Sequence, residues 1–348
     1  MNRIVLHIGS TKTGTSSLQQ FLTRYSKPLL EQRIVYPSAG RRAAGQIAHH
    51  NLCYEKQEVR IATGVFKPKV GVWREALEEI DAVSDAIGVI SSEAFMNCRS
   101  HQIARFHEEL VGRHVTVVAY VRRQDLWMQS AWNQQARFGR CSMDFWDFFT
   151  KIRARGRGDY FRQLAPWAEA FGSNHLVVKN FDTLPSAGIV PDFCASLLCG
   201  VRVTGNKGDD FRGNTKAGVK QLVAVSTVLK ACRAQMGDSF ELPSTAAMRI
   251  AEYFRKRPDE VTKFSVLSFE DACEIQRSFE ESNDQLARLS PSFRVSGGFP
   301  PPRPEEYGNR LDFLRISDNI FTKEERRFVE RMTQEVVRAN RKLGFGAR

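Results

Sequence analysis

No apolar run in the 348-residue sequence approaches the roughly 20 residues a membrane-spanning helix needs, so no membrane span is expected. The first strand-like run begins at Arg3 and leaves no room for a signal peptide, which gives the expectation of a cytoplasmic protein. Cysteine is sparse: the seven present are odd in number and scattered, without CxxC pairs or Cys/His ligand spacing. Neither a disulfide framework nor a zinc site is indicated. Low-complexity tracts, internal repeats and sustained heptads are also missing, so neither a repeat array nor a coiled coil is indicated. Acidic residues are in deficit, with 39 Asp+Glu against 51 Lys+Arg and a formal charge of +12. Such a surface raises the local concentration of nucleotides and acidic glycans. It has no compact basic stripe with interleaved aromatics, so nucleic acid is not expected as a partner.

What remains is a composition with 42% hydrophobic and 26% charged residues, enough to bury a substantial core. Short β-branched runs at residues 3–8, 33–36, 87–91, 114–121 and 175–180 read as strands. Between them, residues 16–25, 73–82, 103–111, 124–138 and 160–171 read as helices or parts of helices. This alternation predicts an α/β fold, a P-loop-type parallel sheet of about five strands flanked by helices. From about residue 205 the strand signal fades, and residues 215–235, 244–255, 268–289 and 323–343 carry helical periodicity. One domain over residues 1–348 is therefore expected, with a nucleotide-binding core at 1–205 and a mainly helical cap or substrate region at 206–348. The Gly/Pro-rich stretch 296–307 reads as an extended connector.

The run RIVLHI passes into Gly9-Ser10-Thr11-Lys12-Thr13-Gly14-Thr15-Ser16-Ser17 and then a helix-like segment. A small-residue turn from a buried strand to a helix start cradles phosphate-like anions, because outward-pointing N–H groups and the helix dipole both favour negative charge. Thr15, Ser16 and Ser17 add hydroxyl donors. A P-loop kinase or nucleotide hydrolase, the alternative reading, has GxxxxGK[ST], with lysine directly after the second glycine. Here Thr15 fills that slot and the lysine lies two residues before Gly14, at Lys12.

KTGTSS after a first strand resembles the 5′-phosphosulfate loop of the sulfotransferases that use 3′-phosphoadenosine 5′-phosphosulfate (PAPS). A second segment, HVTVVAYVRRQDLWMQSAWNQ, runs from strand through Arg122 and Arg123 into a helix, with Ser130 eight residues beyond Arg122. In that family an arginine at the end of this strand and a serine at this spacing hold the cofactor's 3′-phosphate. Spacing favours Arg122, and Arg123 stays open. The resemblance covers roughly the first 135 residues, becomes diffuse to about 205 and is uninformative beyond. It implies PAPS as donor, PAP as product, no metal, and Lys12, Thr13, Gly14, Thr15, Ser16, Ser17, Arg122 and Ser130 as cofactor-binding residues.

Sulfuryl transfer to a hydroxyl needs a base for the acceptor proton and a cation for charge on the leaving phosphate. Lys12 suits the second role. Glu93, after the strand at 87–91, is the first choice for base, since in the family's cytosolic branch the catalytic histidine occupies about this strand end and in several carbohydrate-acting branches the base is a glutamate, there not necessarily from this element. His49 and His50 in GQIAHHNL are the rivals. Arg212 and Lys216 are weaker candidates for cofactor contact. The acceptor is expected to be a hydroxyl of a saccharide or glycolipid, by resemblance and from the basic surface.

Overall fold

Strand β6 (His114–Val121) shows why the sheet lies at the centre: Val115, Val117, Ala119 and Val121 pack on one face, Val118 and Tyr120 on the other, and all are buried. A strand apolar on both sides needs a layer on each, which is the signature of a covered parallel sheet. The computed structural model describes residues 2–41, 47–53, 59–61, 64–66, 72–141, 143–185, 188–201, 216–257, 260–316 and 318–342. With β1 (Arg3–His7), β2 (Ile34–Val35), β5 (Ile87–Ser91) and β7 (Leu176–Asn180), β6 forms a five-stranded, wholly parallel sheet in the order β2-β5-β1-β6-β7. A short antiparallel pair, β3 (Val59–Ile61) and β4 (Gly64–Phe66), stands apart from it.

Because the chain fills one side of β1 before crossing to the other, β1 is the switch point of the strand order. Open α/β sheets bind ligands at the carboxyl ends beside such a point. On one face of the sheet, Ile4 and Leu6 join Trp73, Phe106 and Trp167; on the other, Val5 joins Leu18, Phe21, Leu22 and Phe193. The helix that follows β1, Thr15–Arg24, is thus held to the sheet by Leu18, Phe21 and Leu22. Each contributes about 2 kcal/mol of burial, which keeps the preceding loop in place.

Contacts divide the chain into two interleaved units: Met1–Arg123, Gly156–Asn214 and Ser278–Pro300 form the first, and Gln124–Arg155, Thr215–Arg277 and Pro301–Arg348 the second. The first holds the sheet. The second is helical among its described residues, with Val219–Met236 packed on Lys323–Lys342 through a buried Lys220–Glu325 ion pair at 3.1 Å. Asn133 fastens the helix Gln124–Ala136 to the backbone of Ala217 by two reciprocal 3.0 Å hydrogen bonds. No described helix is long and apolar enough to cross a membrane.

Two local expectations change. The helical run at 268–289 is two helices, Phe269–Ser278 and Glu280–Leu289, broken where Phe279 turns inward and is buried. An additional helix, Phe145–Ala154, is capped by Asp144, whose carboxylate accepts from the N–H groups of Trp146 and Asp147 at 2.8 and 3.4 Å. Its buried Phe145, Phe148 and Phe149 recur at helical spacing, and with the aspartate cap they are the signal that finds it.

Candidate active site at the carboxyl ends of the strands

The loop after β1 is set by backbone conformation more than by side-chain bonding. Its first residues are hung on β6, with Ile8 and Ser10 N–H donating to Val118 and Tyr120 carbonyls at 2.9 and 3.2 Å. Lys12 then takes φ 70°, a left-handed conformation that costs a residue with a Cβ about 1 kcal/mol or more. Gly14 repeats it at φ 77° as the N-cap of Thr15–Arg24, and no side chain caps that helix. A Cβ on Gly14 would come within 2.9 Å of Ile189, and one on Gly9 within 2.6 Å of His7 Nε2, so both positions are restricted by space. Thr13 is fully buried and donates its hydroxyl to Ser10 O at 2.6 Å, so its side chain serves the loop itself. Thr15 is buried, while Lys12, Ser16 and Ser17 are half-buried. The result is a narrow turn with main-chain N–H groups at a helix start, the arrangement that receives an oxyanion.

A chain of polar side chains links this helix to the end of β5. The register pairs His7 with Ser91, and His7 Nδ1 shares a 2.8 Å hydrogen bond with Ser91 Oγ. Gln19, one turn into the helix, donates from Nε2 to Ser91 Oγ and to Glu93 Oε2, each at 3.2 Å. His50, in the short helix His50–Cys53, shares a 2.7 Å hydrogen bond with Ser92 Oγ through Nδ1 and places Nε2 3.9 Å from Glu93 Oε1. The two rival bases are therefore neighbours, with side chains 22% and 27% exposed for His50 and Glu93. His49 differs: it is buried, its Nε2 donates to Pro37 O at 3.0 Å and its Nδ1 accepts the Ser91 N–H at 3.1 Å. Burial depresses its pKa to about 3, and both nitrogens are occupied, which leaves it structural. Sequence reasoning missed His7 and Gln19, which carry the connection between the loop and Glu93. Burial likewise depresses the His7 pKa to about 3.

At the ends of β6 and β7 the two arginines separate in role. Arg122 Nε pairs with Asp182 Oδ1 at 3.0 Å, its guanidinium lies 5.7 Å from the Phe181 ring centroid, and a quarter of its side chain is exposed. Arg123 is 1% exposed; its N–H donates to Asp182 Oδ2 at 2.8 Å and its Nη1 reaches Pro300 O at 3.5 Å. Arg122 is thus the more exposed of the two. The connector at 296–307 is pinned here, since Asn180 donates to Gly298 O at 2.9 Å and Phe299 packs on Phe293 and Tyr160. Ser130, half-buried on Gln124–Ala136, belongs to the second unit, whereas Arg122 belongs to the first. Lys216 donates to Phe264 O and lies 3.9 Å from that ring's centroid, a structural engagement. Arg212 falls outside the described residues.

No family model matches the chain. A protein of Archaeoglobus fulgidus that is itself described as uncharacterized is 24% identical over 267 residues, which cover 75% of this chain and 67% of that one. Among solved structures, the crystal structure of a sulfotransferase from Alicyclobacillus acidocaldarius aligns with a TM-score of 0.42 and 13% identity over 85% of this chain and 96% of that one.

Proposed function

We propose that the protein is a sulfotransferase that moves a sulfuryl group from PAPS to a hydroxyl of a saccharide or glycolipid. The observation that carries the reading is the loop after β1, where Lys12 and Gly14 both adopt the left-handed conformation at the uncapped start of Thr15–Arg24. In that turn Lys12 precedes Gly14 by two residues, away from the slot a kinase lysine occupies, which supports reading it as a ligand of the donor. The small residues Gly9 and Gly14 fit a donor phosphate pressed close to the backbone.

PAPS, when bound, supplies an activated sulfuryl group and a phosphate leaving group. Lys12 neutralises the charge that develops on the leaving oxygen. Glu93 takes the acceptor proton, oriented by Gln19, and His50 beside it is the rival for that role. Arg122 holds the 3′-phosphate by charge-assisted hydrogen bonding; Ser130 is proposed as its partner from their spacing in the sequence.

A thermal-shift comparison tests the donor. PAP at 100 times its dissociation constant is expected to stabilise the protein by about 2.7 kcal/mol, while ATP with Mg²⁺ at the same concentration gives a smaller shift. No shift with PAP overturns the proposal, and a larger one with ATP and Mg²⁺ points to the kinase class.

A further inference from the structure

The helical unit holds a cavity of about 590 Å³, lined from Arg137 and Phe138, the start of Val219–Met236, the helix Ser244–Arg255 and the segment after it. That volume is in the range of roughly 300–1,000 Å³ typical of small-molecule sites. Phe138, Ala247, Met248 and Ala251 give it an apolar side, and Met248 is 54% exposed. A flexible thioether adapts to ligands of varied shape.

The charged lining comprises four cations and two carboxylates, most of them already engaged. Arg257 pairs with Glu324 at 2.6 Å, Glu252 with Lys256 at 3.0 Å, Lys216 with the carbonyl and ring of Phe264, and Glu260 accepts the Gln221 N–H at 3.0 Å. Arg137 and Arg255 remain, and of these Arg255 is exposed to solvent while Arg137 is not. It is half-buried, its Nε is enclosed without a hydrogen-bond partner, and among the described residues no ion pair or hydrogen bond reaches its guanidinium, which lies 4.9 Å from the Phe138 ring centroid. Its burial holds its pKa below the usual arginine value, the mark of a cation losing solvation without return. A guanidinium partly withdrawn from water, with its Nε enclosed and no acceptor on it, carries a desolvation cost, and an anion in the cavity relieves that cost.

We propose that this cavity binds an amphiphilic anion, with a carboxylate-type head on Arg137 and an apolar body along Ala247, Met248 and Ala251. The planar guanidinium suits a two-oxygen head bound side by side. A bare inorganic anion leaves the Met248 side uncovered, and a neutral amphiphile leaves Arg137 unanswered. The inference rests on the helical unit alone and stands or falls independently of the PAPS reading.

Isothermal titration of the full chain with octanoate, octan-1-ol and inorganic phosphate tests it, alongside Arg137→Met, Arg137→Lys and Ala251→Phe, each checked for helix content by circular dichroism. Octanoate is expected to saturate at one per chain and to bind at least 10-fold more tightly than octanol or phosphate. Arg137→Met should weaken octanoate at least 10-fold without changing octanol, Arg137→Lys should weaken it less, and Ala251→Phe should weaken both amphiphiles. The proposal is overturned if octanoate does not saturate, if octanol binds as well, or if neither Arg137 variant changes octanoate affinity. Should Arg137→Met fail to fold, the lysine variant decides.

Discussion

The two units treat charge differently. In the sheet unit the polar groups at the strand ends are laced together: Ser91 meets His7 and Gln19, Glu93 meets Gln19 and His50, and Asp182 meets both Arg122 and Arg123. In the helical unit Asp125 and Lys220 are answered by Gln276 and Glu325, yet Arg137 is left with an aromatic ring. A group tied on several sides is held in one geometry, which suits bond-making. A cation left without an acceptor is suited to binding, because a ligand completes it.

The largest effect that sharpens this contrast is expected at Lys12. Lys12→Met should lower sulfuryl transfer by about 10³-fold, the scale for removing one transition-state donor, while the thermal midpoint stays within a few degrees; single-turnover assays with radiolabelled PAPS measure it. A loss of less than 10-fold would assign the lysine to the loop alone. Next comes the choice of base. Glu93→Gln is expected to lower kcat by about 10²-fold, the lower end of the scale for a general base, with PAP affinity retained, and His50→Ala by less than 10-fold. The reverse order would make His50 the base and Glu93 its positioning residue.

A smaller effect concerns pH. His7 and His49 are held neutral by burial, with pKa values lowered to about 3, while in the unfolded chain they bind protons below the ordinary value of 6.5. The unfolded state therefore binds more protons between those limits, and stability falls as pH falls through 6.5. Each ring should account for about 1 kcal/mol lost between pH 6.5 and 5.5, measured as the urea midpoint at each pH. His7→Gln and His49→Gln should each flatten that slope; if neither does, the rings are hydrated despite their burial.

Much of this was legible in the order of residues, and the limits have physical causes. The strands at 87–91 and 114–121 coincide with β5 and β6 because a buried parallel strand must be continuously apolar and β-branched. The loop was visible because glycine, lysine and hydroxyl residues are clustered within a few positions. Gln19 and His7 were not, because their meaning comes from strand register and from a side chain reaching 74 residues along the chain, from Gln19 to Glu93. The break at Phe279 was hidden for a similar reason: a buried aromatic fits helical periodicity whether or not the backbone continues. His49 and His50 look equivalent as letters, yet one is enclosed by Pro37 and Ser91 and the other opens beside Glu93.

On the proposed function, the left-handed Lys12 sets stability and activity against each other at a single position. Glycine adopts this conformation without the steric penalty of a Cβ, so a selection for thermal resistance alone would favour Gly at position 12. A selection for turnover would reject that change, because the ammonium group would go with the side chain. On the proposed function, lysine at position 12 holds folding stability below its local optimum, and thermostabilised variants of this chain should be screened for activity before position 12 is altered.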